Sequence, residues 1–359
     1  MNKFFDSSKM SAADAQYEAQ KIAFAPIIFQ VARVMRTSGI LELLQKHNDG
    51  LTLESIAEIM NMSIYSVRVL LETSLSAKIV SIDENELYRS TKIGYFLLND
   101  DMTKVNMDFN HFVNFKGLYE LENSIKEGRA CGLKEFTTDE TIYPGLSKLP
   151  QDAKKAWFDF DHLYSDSAFS DAINVLNEYG IKKILEIGGN TGKFSRLFVS
   201  TVENSHITVV DLPGQIAVIN KNIKDLGLEL QINTVPADML DLSTELPSGY
   251  DGVWMSQFLD CFGENDIIRI LQKASKALNK NGKILILEPL WDRQKYETSA
   301  YCIINTSPYF TALANGTSKM FGYKELARYI QKAGLSITAV HDNLGFSHSL
   351  LVCEKSESK

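Results

Sequence analysis

From Ala12 to Leu44 apolar residues recur at three- and four-residue spacings, with Ile27, Ile28, Val31, Val34 and Met35 on one wide face. Ser38-Gly39 interrupts the run, so the pattern predicts a buried or dimer-facing helix that breaks at the glycine. Residues 51–57 and 63–71 carry two shorter helical repeats, the second with Ser63 placed as its N-cap. Two strand signals follow at residues 79–82 and 86–90, joined through Asp83-Glu84-Asn85. Helix, turn, helix and hairpin in that order predict a winged helix.

Residues 101–180 read as helical and aromatic-rich, with Phe109, Phe112, Phe115 and Tyr119 on repeating spacings and then Trp157, Phe158, Phe160 and Tyr164. Most of these are expected in core. From residue 181 the period changes: short β-branched runs at 184–187, 206–210, 230–235, 252–255, 284–287 and 337–340 alternate with helical stretches. That alternation predicts an α/β, doubly wound Rossmann-like sheet with ligands at the carboxyl ends of its strands. A final run at 349–353 follows so closely that it is expected to pair antiparallel. The expected division is a mainly helical winged-helix domain over 1–100, a helical linker and substrate cap over 101–180, and the sheet domain over 181–359.

The first of these strands ends in Glu186-Ile187-Gly188-Gly189-Asn190-Thr191-Gly192. An apolar run, an acid two residues before the first glycine and a glycine-rich turn together point to an S-adenosylmethionine (SAM) site, because glycine lets the backbone turn sharply and approach a ligand. A dinucleotide fingerprint read from Gly188 would need glycines where Asn190 and Lys193 stand, so that pattern fails twice. Asp211 closes the second strand, 25 residues after Glu186, where a carboxylate can accept two ribose hydroxyls. Asp238-Met239 follows the third strand, where an acid can take an adenine amino group and a thioether can lie against the ring. Each acid alone could cap a helix or face solvent; in this order they form a set.

Composition narrows the partners. A chain of 359 residues with net charge −8 lacks the positive surface that nucleic acid or an anionic membrane requires. Residues 1–100 carry ten Lys/Arg against twelve Asp/Glu, and the second short helix offers Arg68 and little else, so the winged helix is expected to pack or dimerise rather than bind DNA. Cys131, Cys261, Cys302 and Cys353 lie far apart, without the spacing of a disulfide framework or a zinc site, and are expected to be reduced thiols in a cytoplasmic protein. No metal site is evident. No run reaches 18 uninterrupted apolar residues and Met1 to Ala15 has no apolar leader, so no spanning or export segment is expected.

Residues 15–353 resemble the O-methyltransferases of the plant caffeate type, a family with bacterial members acting on secondary metabolites. Glu186 to Gly192 resembles its acid-x-Gly-Gly-Gly-x-Gly turn, Asp211-Leu212-Pro213 its D-L-P motif and Ala237-Asp238-Met239 its G-D-M motif. The resemblance implies a winged-helix homodimerisation domain, SAM as cofactor held by Glu186, Gly188, Gly189, Asn190, Gly192, Asp211, Leu212, Asp238, Met239 and Ser256, and methyl transfer to a phenolic hydroxyl of a small molecule.

The resemblance breaks on the catalytic side. Residues 251–262 align without gaps on the family's strand-four motif, and the general-base histidine falls on Asp260; Ser256 stands where lysine is usual, and the second buried carboxylate falls near Met320. Glu288 is kept. A phenol has a pKa of about 10, and an ordinary aspartate at about 3.9 falls short of it by roughly six units. Burial, with Glu288 close by, would raise Asp260 into range. His162, where the family has a substrate-contact methionine, is a second candidate base; a third possibility is no dedicated base, with positioning and desolvation acting on an already acidic hydroxyl. Phe158, His162, Tyr309 and Met320 are expected to line the acceptor, and Tyr301, Asn305 and Phe310 share Tyr309's helical spacing. Two further readings stay open: a relative that methylates nitrogen or carbon or uses SAM without transfer, and a ligand-sensing winged-helix regulator.

Overall fold

The computed structural model describes residues 4, 5 and 9–356, which gather into two compact units, one running to Asn110 and one starting at His111. In the first unit the long helix spans Ala12–Thr37, capped by the Ser11 side chain on the Asp14 amide. It stops where Gly39 takes φ +89, a left-handed conformation that ends the run, and Ile40–Lys46 resumes it. Helices Leu53–Ile59 and Ile64–Ser76 follow, each with a hydroxyl cap, Thr52 on Ser55 and Ser63 on Ser66. Strands β1 (Val80–Ile82) and β2 (Tyr88–Ser90) pair antiparallel, and the Asp83 carboxylate closes their turn by accepting from the amides of Asn85 and Leu87. The unit's core is Met35, Ile40, Leu41, Leu44, Ile56 and Leu71, each at most 1% exposed. Of the face expected on the long helix, Met35 is inside while Ile27 and Val34 lie outward.

The second unit is a seven-stranded sheet in the order β5-β4-β3-β6-β7-β9-β8, with β3 Lys183–Ile187, β4 His206–Asp211, β5 Ile232–Pro236, β6 Tyr250–Ser256, β7 Leu278–Glu288, β8 Leu335–Leu344 and β9 His348–Lys355. Strands β3 to β7 run parallel, and β9 is antiparallel to both β7 and β8. The antiparallel sense of the last strand agrees with its short connection; its insertion between β7 and β8 was not legible from spacing. β5 starts at Ile232 rather than at Leu230, which is 90% exposed beyond the strand end.

Both sheet faces are covered. Trp254 on β6 is fully buried and stacks on Phe194 at 4.2 Å. The helix Gln151–Glu178 packs Ala168, Ala172, Ile173 and Leu176 into the same cluster as Ile184 and Leu285. Met107, within the stretch expected as linker and cap, is buried in the N-terminal core, while the helix Gln151–Glu178 packs on the sheet.

Candidate active site

The switch of strand order lies between β3 and β6, and the polar residues gather at the carboxyl ends there. The turn after β3 holds Gly188 at φ +81, Asn190 at +52 and Gly192 at +76. A Cβ on Gly188 would sit 2.4 Å from the Phe258 ring, and one on Gly189 would sit 2.3 Å from Val209. Glycine is needed here for packing against the protein as well as for approach to a ligand. Gly192 then opens the helix Lys193–Thr201.

Glu186 is 3% exposed and accepts a hydrogen bond from the Ser195 hydroxyl in that helix. Burial pushes its carboxyl up to about 7. Asp211 is raised to about 6 by burial, against the pull of backbone amides. Its Oδ2 accepts from the Asn190 amide at 2.9 Å and its Oδ1 from the Leu212 amide at 2.7 Å. A carboxylate has about four acceptor sites, so these bonds leave capacity for ribose hydroxyls. Asp238 is exposed and turns its Oδ1 back to the Leu240 amide at 2.8 Å, while Met239 is buried in the core beside β6. The hydroxyls of Ser256 and Thr191 are buried without a protein partner. Unsatisfied buried hydroxyls beside the turn, with acceptor capacity on Asp211, fit an adenosyl ligand with polar groups to share.

The residues expected to carry catalysis gather around the loop that leaves β6. Gln257 takes φ +44, and its side-chain oxygen meets His348 Nε2 at 3.1 Å. Glu288 Oε1, at the end of β7, accepts from the amides of Phe258 at 3.1 Å and Leu259 at 2.9 Å. Glu288 holds the loop through these two bonds, while its Oε2 is buried without a protein partner. Burial, then the Asp260 charge, pushes it well above the usual carboxylate range. Asp260 follows on the same loop, 3% exposed, raised to about 7 by burial and then by the charge of Asp161. Glu288 and Asp260 repel one another, as their expected closeness implies, and Asp161 adds a further like charge on Asp260.

Asp161 and His162 come from the helix Gln151–Glu178. Asp161 Oδ2 accepts from Asn190 Nδ2 at 2.7 Å, and burial raises its carboxyl to about 6. His162 faces its own helix's acids, with Nδ1 3.4 Å from Asp166 and 3.9 Å from Asp161, and its ring stacks near Phe158 at 6.0 Å. Tyr309 is 5% exposed and its hydroxyl accepts from Trp157 Nε1 at 2.7 Å. Met320 is 6% exposed, with its amide on the Ser307 hydroxyl at 3.2 Å. Tyr301 and Asn305 point outward, whereas Phe310 is buried. Asp161, Tyr143 and Cys261 escaped the sequence reading. The Cys261 thiol lies 3.5 Å from Asp260 Oδ1, and both it and the Tyr143 hydroxyl are pushed well up by burial. The usable signal was the pair Asp161 and Asp166 flanking His162 on one helix.

A sheet whose first strand ends in a buried acid and a glycine turn, with an acid closing the next strand, is the frame of a SAM-dependent methyltransferase. The chain belongs to the O-methyltransferase domain family, whose model matches residues 153–336, and a Dimerisation2-like domain matches residues 16–88. The L-tyrosine C(3)-methyltransferase of Streptomyces lavendulae is 22% identical over 318 residues, covering 88% of this chain and 85% of that protein. Among solved structures, the SAM-dependent methyltransferase SibL in its apo form superposes with TM-score 0.70 at 20% identity, covering 94% of this chain and 98% of that one. The O-methyltransferase NcsB1 from neocarzinostatin biosynthesis, solved with S-adenosyl-L-homocysteine (SAH) and 1,4-dihydroxy-2-naphthoic acid, gives 0.66 at 19% identity, covering 91% and 95%. The protein is a SAM-dependent methyltransferase of small molecules. Among the described residues no helix is long and apolar enough to cross a membrane, and no group of three His, Cys, Asp or Glu side chains is placed to hold a metal ion.

Proposed function

We propose that the enzyme methylates a hydroxyl on an aromatic or polyketide-like small molecule, with Asp260 as general base. The observation that carries this reading is the buried Asp260 carboxyl, raised to about 7 at the end of the loop that Glu288 holds. The bound cofactor supplies an electrophilic methyl on a sulfonium. The chain's own part is to place the acceptor, exclude water and take its proton at an Asp260 oxygen. At about 7 the base lies roughly three units below a phenol, where an ordinary carboxylate lies about six below, so burial removes on the order of 4 kcal/mol of the proton-transfer deficit. Trp157, Phe158, Tyr309 and Met320 supply aromatic and thioether surface suited to a flat acceptor.

Methylation at a ring carbon is a second reading, favoured by the likeness to the tyrosine C(3)-methyltransferase over most of both chains. The same base serves it, because deprotonating a phenol also raises the nucleophilicity of its ring carbons. Calorimetry with SAH tests the cofactor side: absence of binding at millimolar SAH would overturn the methyltransferase reading. Product mass and methyl position with dihydroxynaphthoate and tyrosine as probe acceptors separate oxygen from carbon; ring-methylated product alone would sink the O-methyl assignment.

We further propose a homodimer through the N-terminal unit. Ile22 is 76% exposed and Ile27 55% exposed on the helix Ala12–Thr37, within the segment matched by the Dimerisation2-like domain. Large apolar side chains exposed along one helix are what an interface covers. Sedimentation should show a dimer that Ile22→Asp with Ile27→Asp converts to monomer; a wild-type monomer at micromolar concentration rejects the assignment.

A further inference from the structure

Asn190 occupies a place where the resembled family carries glycine, and it holds φ +52, which asparagine tolerates better than most residues. Three elements meet on it. Its amide donates to Asp211 Oδ2 at 2.9 Å, at the end of β4. Its Oδ1 accepts from Gln215 Nε2 at 3.3 Å, in the helix Pro213–Leu226. Its Nδ2 donates to Asp161 Oδ2 at 2.7 Å, in the helix Gln151–Glu178. A second tie runs the same way, from Lys193 Nζ to Asp166 Oδ2 at 2.5 Å. A glycine could make the first of these bonds and neither of the other two.

Resting on the cofactor reading above, we propose that Asn190 is a positioning residue that couples occupancy of the glycine turn to the acceptor-side helix, so that cofactor binding sets Asp161 before the acceptor arrives. Asp211 is the link on the cofactor side. A ligand held by the Asp211 carboxylate would fix the group that also receives the Asn190 amide, and the fixed turn would hold Asn190 Nδ2 on Asp161. Bonds to an ionised carboxylate are short and directional, so the helix registers the position of the turn. Asp161 in turn acts electrostatically on Asp260. Asn190 therefore prepares the base side without touching the acceptor.

Hydrogen exchange on the whole protein, with and without SAH, tests the coupling. In the wild type, SAH should slow amide exchange across residues 157–166 about fivefold or more, as expected of two sites coupled through contacting residues. Asn190→Gly keeps the backbone conformation; it should bind SAH within about fivefold of wild type by calorimetry and retain protection in the turn, yet slow residues 157–166 less than about twofold. Asp161→Ala leaves the turn intact and should give the same loss from the other end. Should Asn190→Gly abolish SAH binding or fail to fold, Asp161→Ala decides alone. Protection of 157–166 that persists in Asp161→Ala overturns the proposal. A wild type that binds no SAH overturns the cofactor reading and this inference together, whereas SAH binding without any slowing at 157–166 overturns this inference only.

Discussion

At the scale of single residues, Asp260 and Glu288 show how one functional group, the carboxyl, takes different surroundings on neighbouring elements. Both are nearly fully buried, yet Glu288 spends an oxygen on two backbone amides while Asp260 lies beside the Cys261 thiol and under the influence of Asp161. Burial, then their mutual repulsion, pushes Glu288 well above the usual carboxylate range, while burial raises Asp260 to about 7. Asp260→Asn should lower kcat by about 10²-fold or more, with SAH affinity within about twofold of wild type, since general-base removal commonly has that size. Wild-type kcat/KM should climb through pH 7 as the base ionises, and that limb should vanish in the variant. An unaltered rate removes Asp260 from the mechanism. The sequence placed Asp260 at the histidine position and anticipated a raised carboxyl with Glu288 close by, but gave no sign of the second like charge, Asp161. Asp161 is 99 residues away along the chain, and only folding brings its charge to bear.

Among the elements, the turn after β3 and the loop after β6 are packed against each other, because the Phe258 ring covers Gly188. The glycine turn and the loop that carries Asp260 are therefore one mechanical unit, held by Glu288 and by the contact of His348 with Gln257. Gly188→Ala combines an unfavourable left-handed conformation with a Cβ 2.4 Å from that ring. It should destabilise the protein by roughly 1–3 kcal/mol and weaken SAH binding at least tenfold, from strain and overpacking together. Denaturant unfolding and calorimetry read the two effects, and an Ala variant with wild-type SAH affinity would show that the turn tolerates the displaced ring. The glycines themselves were legible in the sequence; that one of them is enforced by an aromatic 70 residues later was not.

For the whole molecule, buried acids at the strand ends link stability to pH. Asp260 and Glu186 are raised to about 7, and Asp211 and Asp161 to about 6. Each folded pKa exceeds its unfolded value of about 4, so the fold retains protons that the unfolded chain has lost, and the stability they contribute disappears as pH rises through 6–7. His348 works the other way: burial lowers it to about 3, so its contribution is present above its usual value near 6.5 and lost on acidification. Four groups outweigh one, and the SAH-free protein should be less stable at pH 8 than at pH 5. Asp260→Asn should remove on the order of 2–4 kcal/mol of that difference, measured by urea unfolding at both pH values. An unchanged difference would show that Asp260 does not stay buried when ionised. What the amino-acid sequence by itself determined was the order of elements, the winged-helix segment, the antiparallel last strand and the glycine turn, because these depend on periodicity, caps and glycines within short windows. The tertiary structure decided where β9 inserts, which face of the first helix is buried, and which buried acids act on one another. Those depend on packing and on charges brought together from distant parts of the chain, and in water-poor surroundings such charges change one another's protonation.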